Sequence, residues 1–118
     1  MRSGFITHQG VQVFYCRYNR IDMSTLSAEV TEVEALLLKQ PVNSMRLLVD
    51  VTGTVISPST LSLLTKTSLD MKKYIHATAV LGVEGVRVQL LDMLVKASGL
   101  PAKSFKTEEE AKNWLATQ

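Results

Sequence analysis

Asp50, Ser57, Ser59 and His76 are the residue types of a nucleophilic relay. A hydroxyl attacks, an imidazole takes its proton, and a carboxylate orients the imidazole. The two serines lie in VISPSTL, however, not in the G-x-S-x-G turn that exposes a nucleophile. Ser57 followed by Pro58 reads more simply as a helix start: serine accepts free amides of the first turn, and proline presets its φ. Asp50 closes the apolar run RLLVD just before Thr52-Gly53-Thr54. Its carboxylate is expected to accept hydrogen bonds from the amides of that turn. Were the run a strand of an open parallel sheet, Asp50 would also lie at the edge where ligands collect. His8 and His76 read as surface or packing residues, and Cys16 as a small core residue. No residue is assigned a catalytic role.

Metal and cofactor chemistry has little to draw on. One cysteine excludes an intramolecular disulfide and a thiolate zinc cluster, and the two histidines lie in unrelated contexts. There is no G-x-G-x-x-G after a strand and no phosphate loop of the G-x-x-x-x-G-K-[ST] type. Gly82-Val83-Glu84-Gly85 reads as a strand-to-helix turn. No cofactor and no metal are expected.

The 118 residues fit one domain, 1–118, and 46% apolar residues with 20% charged ones suffice for a core. The net charge of +2 comes from 13 basic and 11 acidic residues dispersed along the chain. No basic stripe is available to follow a phosphate backbone, so nucleic acid is not an expected partner. The N-terminus lacks a leader's apolar core, and the apolar runs are too short for a transmembrane segment. The expectation is a cytoplasmic protein.

The elements that position these residues follow from periodicity. GFITHQGVQVFYCRY holds two β-prone segments around Gly10, which suits a hairpin. Leu26, Val30, Val33 and Leu37 share one face of a first helix, capped by Asp22 or Ser24. Glu29, Glu32 and Glu34 sit mostly off that face, toward solvent. SMRLLVDV and HATAVLGV read as short buried strands. Between them a second helix begins at Ser57 and places Leu61, Leu64, Met71 and Ile75 on one face, with Ser68 among them. AKSF is compatible with a short edge strand, and Thr107 to Glu110 forms a capping box for a last helix bearing Ala111, Trp114 and Leu115. The order ββαβαβαβα predicts an α/β fold with right-handed crossovers and a mixed, mostly parallel sheet of 4–5 strands with about four helices.

The third helix, in EGVRVQLLDMLVKASG, carries apolar residues on two sides. Val86, Leu90, Met93, Leu94 and Ala97 fill one sector, which is expected to cover the sheet. Val88, Leu91 and Val95, with Arg87 nearby, form a second stripe. Either a neighbouring helix, such as the last one with Trp114, buries that stripe, or it faces a dimer mate, another protein or a lipid.

Three stretches carry a resemblance. RLLVDVTGT, ATAVLGVEGVRVQLLDMLVKASG and KSFKTEEEAKNWL are similar to the SpoIIAA-like family, also described as STAS or SEC14-type domains. The closing stretch matches best, with Phe105, Glu110, Ala111, Trp114 and Leu115 in register. The resemblance implies a SpoIIAA-like two-layer sandwich and a non-enzymatic regulatory domain that binds another protein. In the anti-sigma-factor antagonists of that group, a serine in D-S-S-G takes a phosphate. Here the corresponding residues are Pro58, Ser59, Thr60 and Leu61, so Ser59 matches the phosphoacceptor, with Thr60 beside it, while the flanking acid and glycine are replaced. The expected surface is Arg87, Val88, Leu91 and Val95, with a homodimer as the first partner. The lipid-binding side of the resemblance gives the alternative, a site for a lipid or other apolar small molecule at a membrane surface.

Overall fold

The computed structural model describes the whole chain, Met1–Gln118. Its elements are β1 (Gly4–His8), β2 (Val11–Arg17), α1 (Met23–Leu37), β3 (Met45–Asp50), α2 (Pro58–Met71), β4 (Ile75–Leu81), α3 (Arg87–Ser98), β5 (Lys103–Phe105) and α4 (Glu108–Ala116). A 3-10 turn, Lys72–Tyr74, joins α2 to β4. The predicted order holds, including the edge strand β5. Ile75 is the exception: it opens β4 and does not belong to the second helix's face. The 3-10 turn ends the helix before it.

β1 and β2 form an antiparallel hairpin, Gly4 opposite Tyr15 and His8 opposite Val11. Gln9 and Gly10 both take positive φ, 52° and 76°, the backbone that a two-residue turn needs to match strand twist. The remaining pairs are parallel, and the strand order is β1-β2-β3-β4-β5. That monotonic order fixes where the helices go. Right-handed crossovers stepping always in one direction put every crossover helix on the same face. Accordingly α1, α2 and α3 share the face formed by Phe14, Cys16, Leu47 and Val80. α4 comes after the last strand and turns back under the sheet, burying Ala111 and Leu115 against Val13, Leu48, Ala79 and Leu81. β2 therefore has cover on both sides, and Val13, Phe14, Tyr15 and Cys16 are all buried.

Helix ends are built as the sequence indicated. Asp22 accepts the Thr25 amide at 2.8 Å, which settles the cap of α1 in favour of Asp22 over Ser24. Ser57 caps α2 with Pro58 in the first turn, Thr107 accepts the Glu110 amide at 3.2 Å, and Gly99 takes φ 70° beyond α3. The capping box is half formed, because the Glu110 carboxylate turns to the Thr107 hydroxyl.

Two expectations are corrected here. Glu29 does not face solvent: it is buried, and its carboxylate accepts the amides of Arg2 at 3.0 Å and Ser3 at 2.7 Å. The N-terminal segment lies across α1 and covers it. Second, α3 packs beside α2, not beside α4 and Trp114, which lie on the opposite face of the sheet.

Candidate functional site

The parallel register takes the nucleophilic relay apart. Asp50 pairs with Leu81 at the carboxyl end of β4, while His76 is the second residue of that strand. At about 3.3 Å per residue, roughly 16 Å of strand separates them. Asp50 accepts the Thr52 amide at 2.9 Å, the turn-anchoring role expected of it. His76 lies 3.3 Å from the Asn43 amide oxygen, and His8 lies 2.7 Å from that of Asn113. Burial pushes the Cys16 thiol up to about 12, so it stays protonated within the core.

The carboxyl edge of the sheet is instead organised by Arg87. Its Nη1 donates to the carbonyls of Val51 and Gly82, both at 3.0 Å, and its Nη2 donates to the carbonyl of Thr54. The guanidinium fork thus ties the loop after β3 to the loop after β4. Gly82 lets the two loops touch: a Cβ there would sit 2.5 Å from the Thr52 nitrogen, and φ is 86°. The loop after β2 joins through the Arg20 amide, 2.9 Å from the Thr52 carbonyl. Arg87 was expected on the partner-facing surface; its charged group is turned inward and occupied. The residues beside its contacts face outward. Val55, next to Thr54, and Val86, next to Arg87, are each 77% exposed.

α3 presents its faces differently from the helical-wheel expectation. Arg87, Leu91, Leu94 and Ser98 point toward the sheet and α2; Leu91 packs against the main core, and Ser98 is buried. Val86 and Met93, expected to cover the sheet, are exposed, and so is Val88, while Val95 is half-buried. The predicted stripe of Val88, Leu91 and Val95 is divided between interior and surface. The reason lies in Arg87. Docking its guanidinium on the loop carbonyls sets the helix rotation, and residues four, seven and eleven positions on follow it inward.

Ser59 and Thr60 also separate. Ser59 is exposed in the first turn of α2. Thr60 is 1% exposed, and its hydroxyl lies 3.2 Å from the Val55 carbonyl and 3.0 Å from the Ser57 hydroxyl. Thr60 is therefore a packed strut of the helix start, and its hydroxyl lies away from solvent.

Beneath α2 and α3 lies a cavity of about 110 Å³, walled mainly by aliphatic side chains, with β3 and β4 as its floor. Leu61, Leu90 and Leu94 on its helical wall are only half-buried, so it reaches the surface along those helices. Thr67 and Thr78 line it, are each 6% exposed, and have hydroxyls with no hydrogen-bond partner. The sequence reading missed this pair, although Thr60, Thr67 and Met71 at steps of seven and four already mark the buried stripe of α2. At the carboxyl edge a polar cleft of about 290 Å³ is lined by Thr52, Glu84, Lys106 and Glu108 among others, with both charge signs present. No three His, Cys, Asp or Glu side chains converge as metal ligands, and no helix is long and apolar enough to cross a membrane.

A mixed sheet in the order 1-2-3-4-5, with a hairpin at its start and three crossover helices on one face, is the SpoIIAA-like (STAS) fold. The chain superposes on the solved structure of an anti-sigma-factor antagonist (STAS) domain protein from Planctomyces limnophilus, with a TM-score of 0.62 and 16% identity over 97% of each chain. That likeness establishes the architecture. No protein-family model matches the sequence, and no curated protein matches it.

Proposed function

We propose that this chain is a non-enzymatic protein-interaction domain, and that its partner is a second copy of itself docked through the carboxyl edge of the sheet. The observation that supports this reading is the pair of valines, Val55 and Val86, exposed on two loops that Arg87 locks together. A rigid loop pair loses little conformational freedom on binding, and exposed apolar side chains on it gain by leaving water. Val88, in the first turn of α3, extends the same edge. The Planctomyces protein is described as an anti-sigma-factor antagonist, a role exercised on another protein, and this chain shares its fold.

Ser59 is exposed at the N-terminus of α2, which the loop of Val55 leads into. A phosphate on it would be favoured by the helix dipole and would bring charge to an apolar contact. Light scattering tests the dimer: the reading expects twice the 13.1 kDa of one chain, falling to one chain's mass in Val86→Glu. A wild-type chain that stays monomeric at high micromolar concentration overturns the dimer.

A further inference from the structure

We infer that the cavity beneath α2 and α3 is a binding site for a small, mostly apolar molecule carrying one hydrogen-bonding group, about the size of a single six-membered ring. Its volume is about 110 Å³. That approaches the roughly 150 Å³ of an aliphatic cavity that stays dry and takes up benzene. It is too small for a whole lipid. The walls are mainly apolar, so a water inside would have the two unpaired threonine hydroxyls as partners, the bottom of the two to four that it needs.

The threonines indicate the polar group. Thr67 enters from α2 and Thr78 from β4, on opposite walls, and both hydroxyls are buried without a partner. A buried hydroxyl left unpaired is a standing cost to the fold, and valine would fill either position without it. Nearby hydroxyls on α2 behave differently: Thr65 and Ser68 bond back to the carbonyls of Leu61 and Leu64 at 2.8 and 2.7 Å. Thr67 and Thr78 lack such a bond, and a ligand hydroxyl or carbonyl in the cavity supplies it. Arg87 also lines the cavity, but its donors are committed to loop carbonyls, so no charge on the ligand is called for. The site is separate from the docking edge proposed above and shares Arg87 with it.

The test uses the full chain with phenol, hexan-1-ol and toluene as probes, followed by amide shifts in heteronuclear NMR. Phenol and hexan-1-ol share the required chemistry and distinguish an aromatic ligand from an aliphatic one. Saturable shifts centred on Thr67, Thr78 and Leu91 are expected, with one of the two hydroxyl probes bound about tenfold more tightly than toluene. In Thr67→Val/Thr78→Val that preference vanishes, toluene binding persists, and the unliganded protein melts at or above the wild-type temperature. Should the double variant fold poorly, each single valine variant reads the same preference. Absence of saturable shifts with any probe overturns the inference, as does a hydroxyl preference that survives in the valine variants.

Discussion

Arg87 is the residue on which the carboxyl edge depends. Its fork satisfies the carbonyls of Val51, Thr54 and Gly82 together, and an alanine leaves all of them to find water. Hydrogen bonds to a charged donor contribute more than neutral ones, so Arg87→Ala is expected to cost about 2–4 kcal/mol in urea denaturation. Lysine keeps the charge but presents one point instead of a planar fork. Arg87→Lys should therefore recover less than half of that loss; full recovery would show that charge alone holds the loops. Glu29 makes a second residue-scale prediction. Burial alone pushes its carboxyl up, but hydrogen bonds from Ser3 and Arg2 and the nearby N-terminal charge prevail and hold it below the ordinary 4.5. A depressed carboxyl contributes stability that is present above its unfolded value and lost as pH falls through its folded one. Acidification below about pH 4.5 should thus loosen the N-terminal segment. Glu29→Gln should show a shallower fall in stability between pH 5 and 3. A residual slope is expected, because Glu108 is also held low, by Lys112 first and then by Tyr15. An unchanged slope in Glu29→Gln would remove Glu29 from the acid response.

At the scale of the element, α3 is where sequence and structure part. Strands, caps and the hairpin could be read ahead because each is set by local chemistry: Asp22, Ser57 and Thr107 at helix starts, and Gly10 in a tight turn. Asp50's turn contact was legible for the same reason. The rotation of α3 was not, because a wheel of apolar residues on two sides has two solutions and Arg87 chooses between them through carbonyls distant in sequence. Glu29 was expected toward solvent for the same reason, since its partners are the amides of Arg2 and Ser3, well over twenty residues away. The cavity escaped because it lies between elements, where no single periodicity reports it. The face assignment can be checked directly. Leu91→Ala should cost about 1–3 kcal/mol, because the side chain packs on the core. Val88→Ala and Met93→Ala should stay within about 0.5 kcal/mol, since both side chains are exposed. Equal costs at Leu91 and Val88 would contradict the rotation seen here.

Across the whole molecule, one sheet serves two cores of unequal size. Three helices cover one face, with Leu26, Val30, Val33 and Leu37 of α1 fully or almost fully buried there, and α4 alone covers the other through Ala111 and Leu115. The strands between them leave neither core independent: in β2, Val13 and Tyr15 belong to one and Phe14 and Cys16 to the other. A strand cannot give up one set of side chains while holding the other, since both hang from the same backbone and ladder. Loss of α4 should therefore propagate through the sheet instead of fraying as a separate step. Trp114, the sole tryptophan, sits on α4 against Phe105 with ring centroids 5.5 Å apart, so its fluorescence reports the thinner side. Far-UV circular dichroism is dominated by α1, α2 and α3 on the thicker side. The two signals are expected to share one denaturation midpoint in the wild type. Leu115→Ala, at a position 0% exposed, should lower both midpoints together, by a loss of about 2–4 kcal/mol. A tryptophan transition that moves ahead of the helical one in that variant would mean that α4 unfolds on its own and that the two cores are uncoupled.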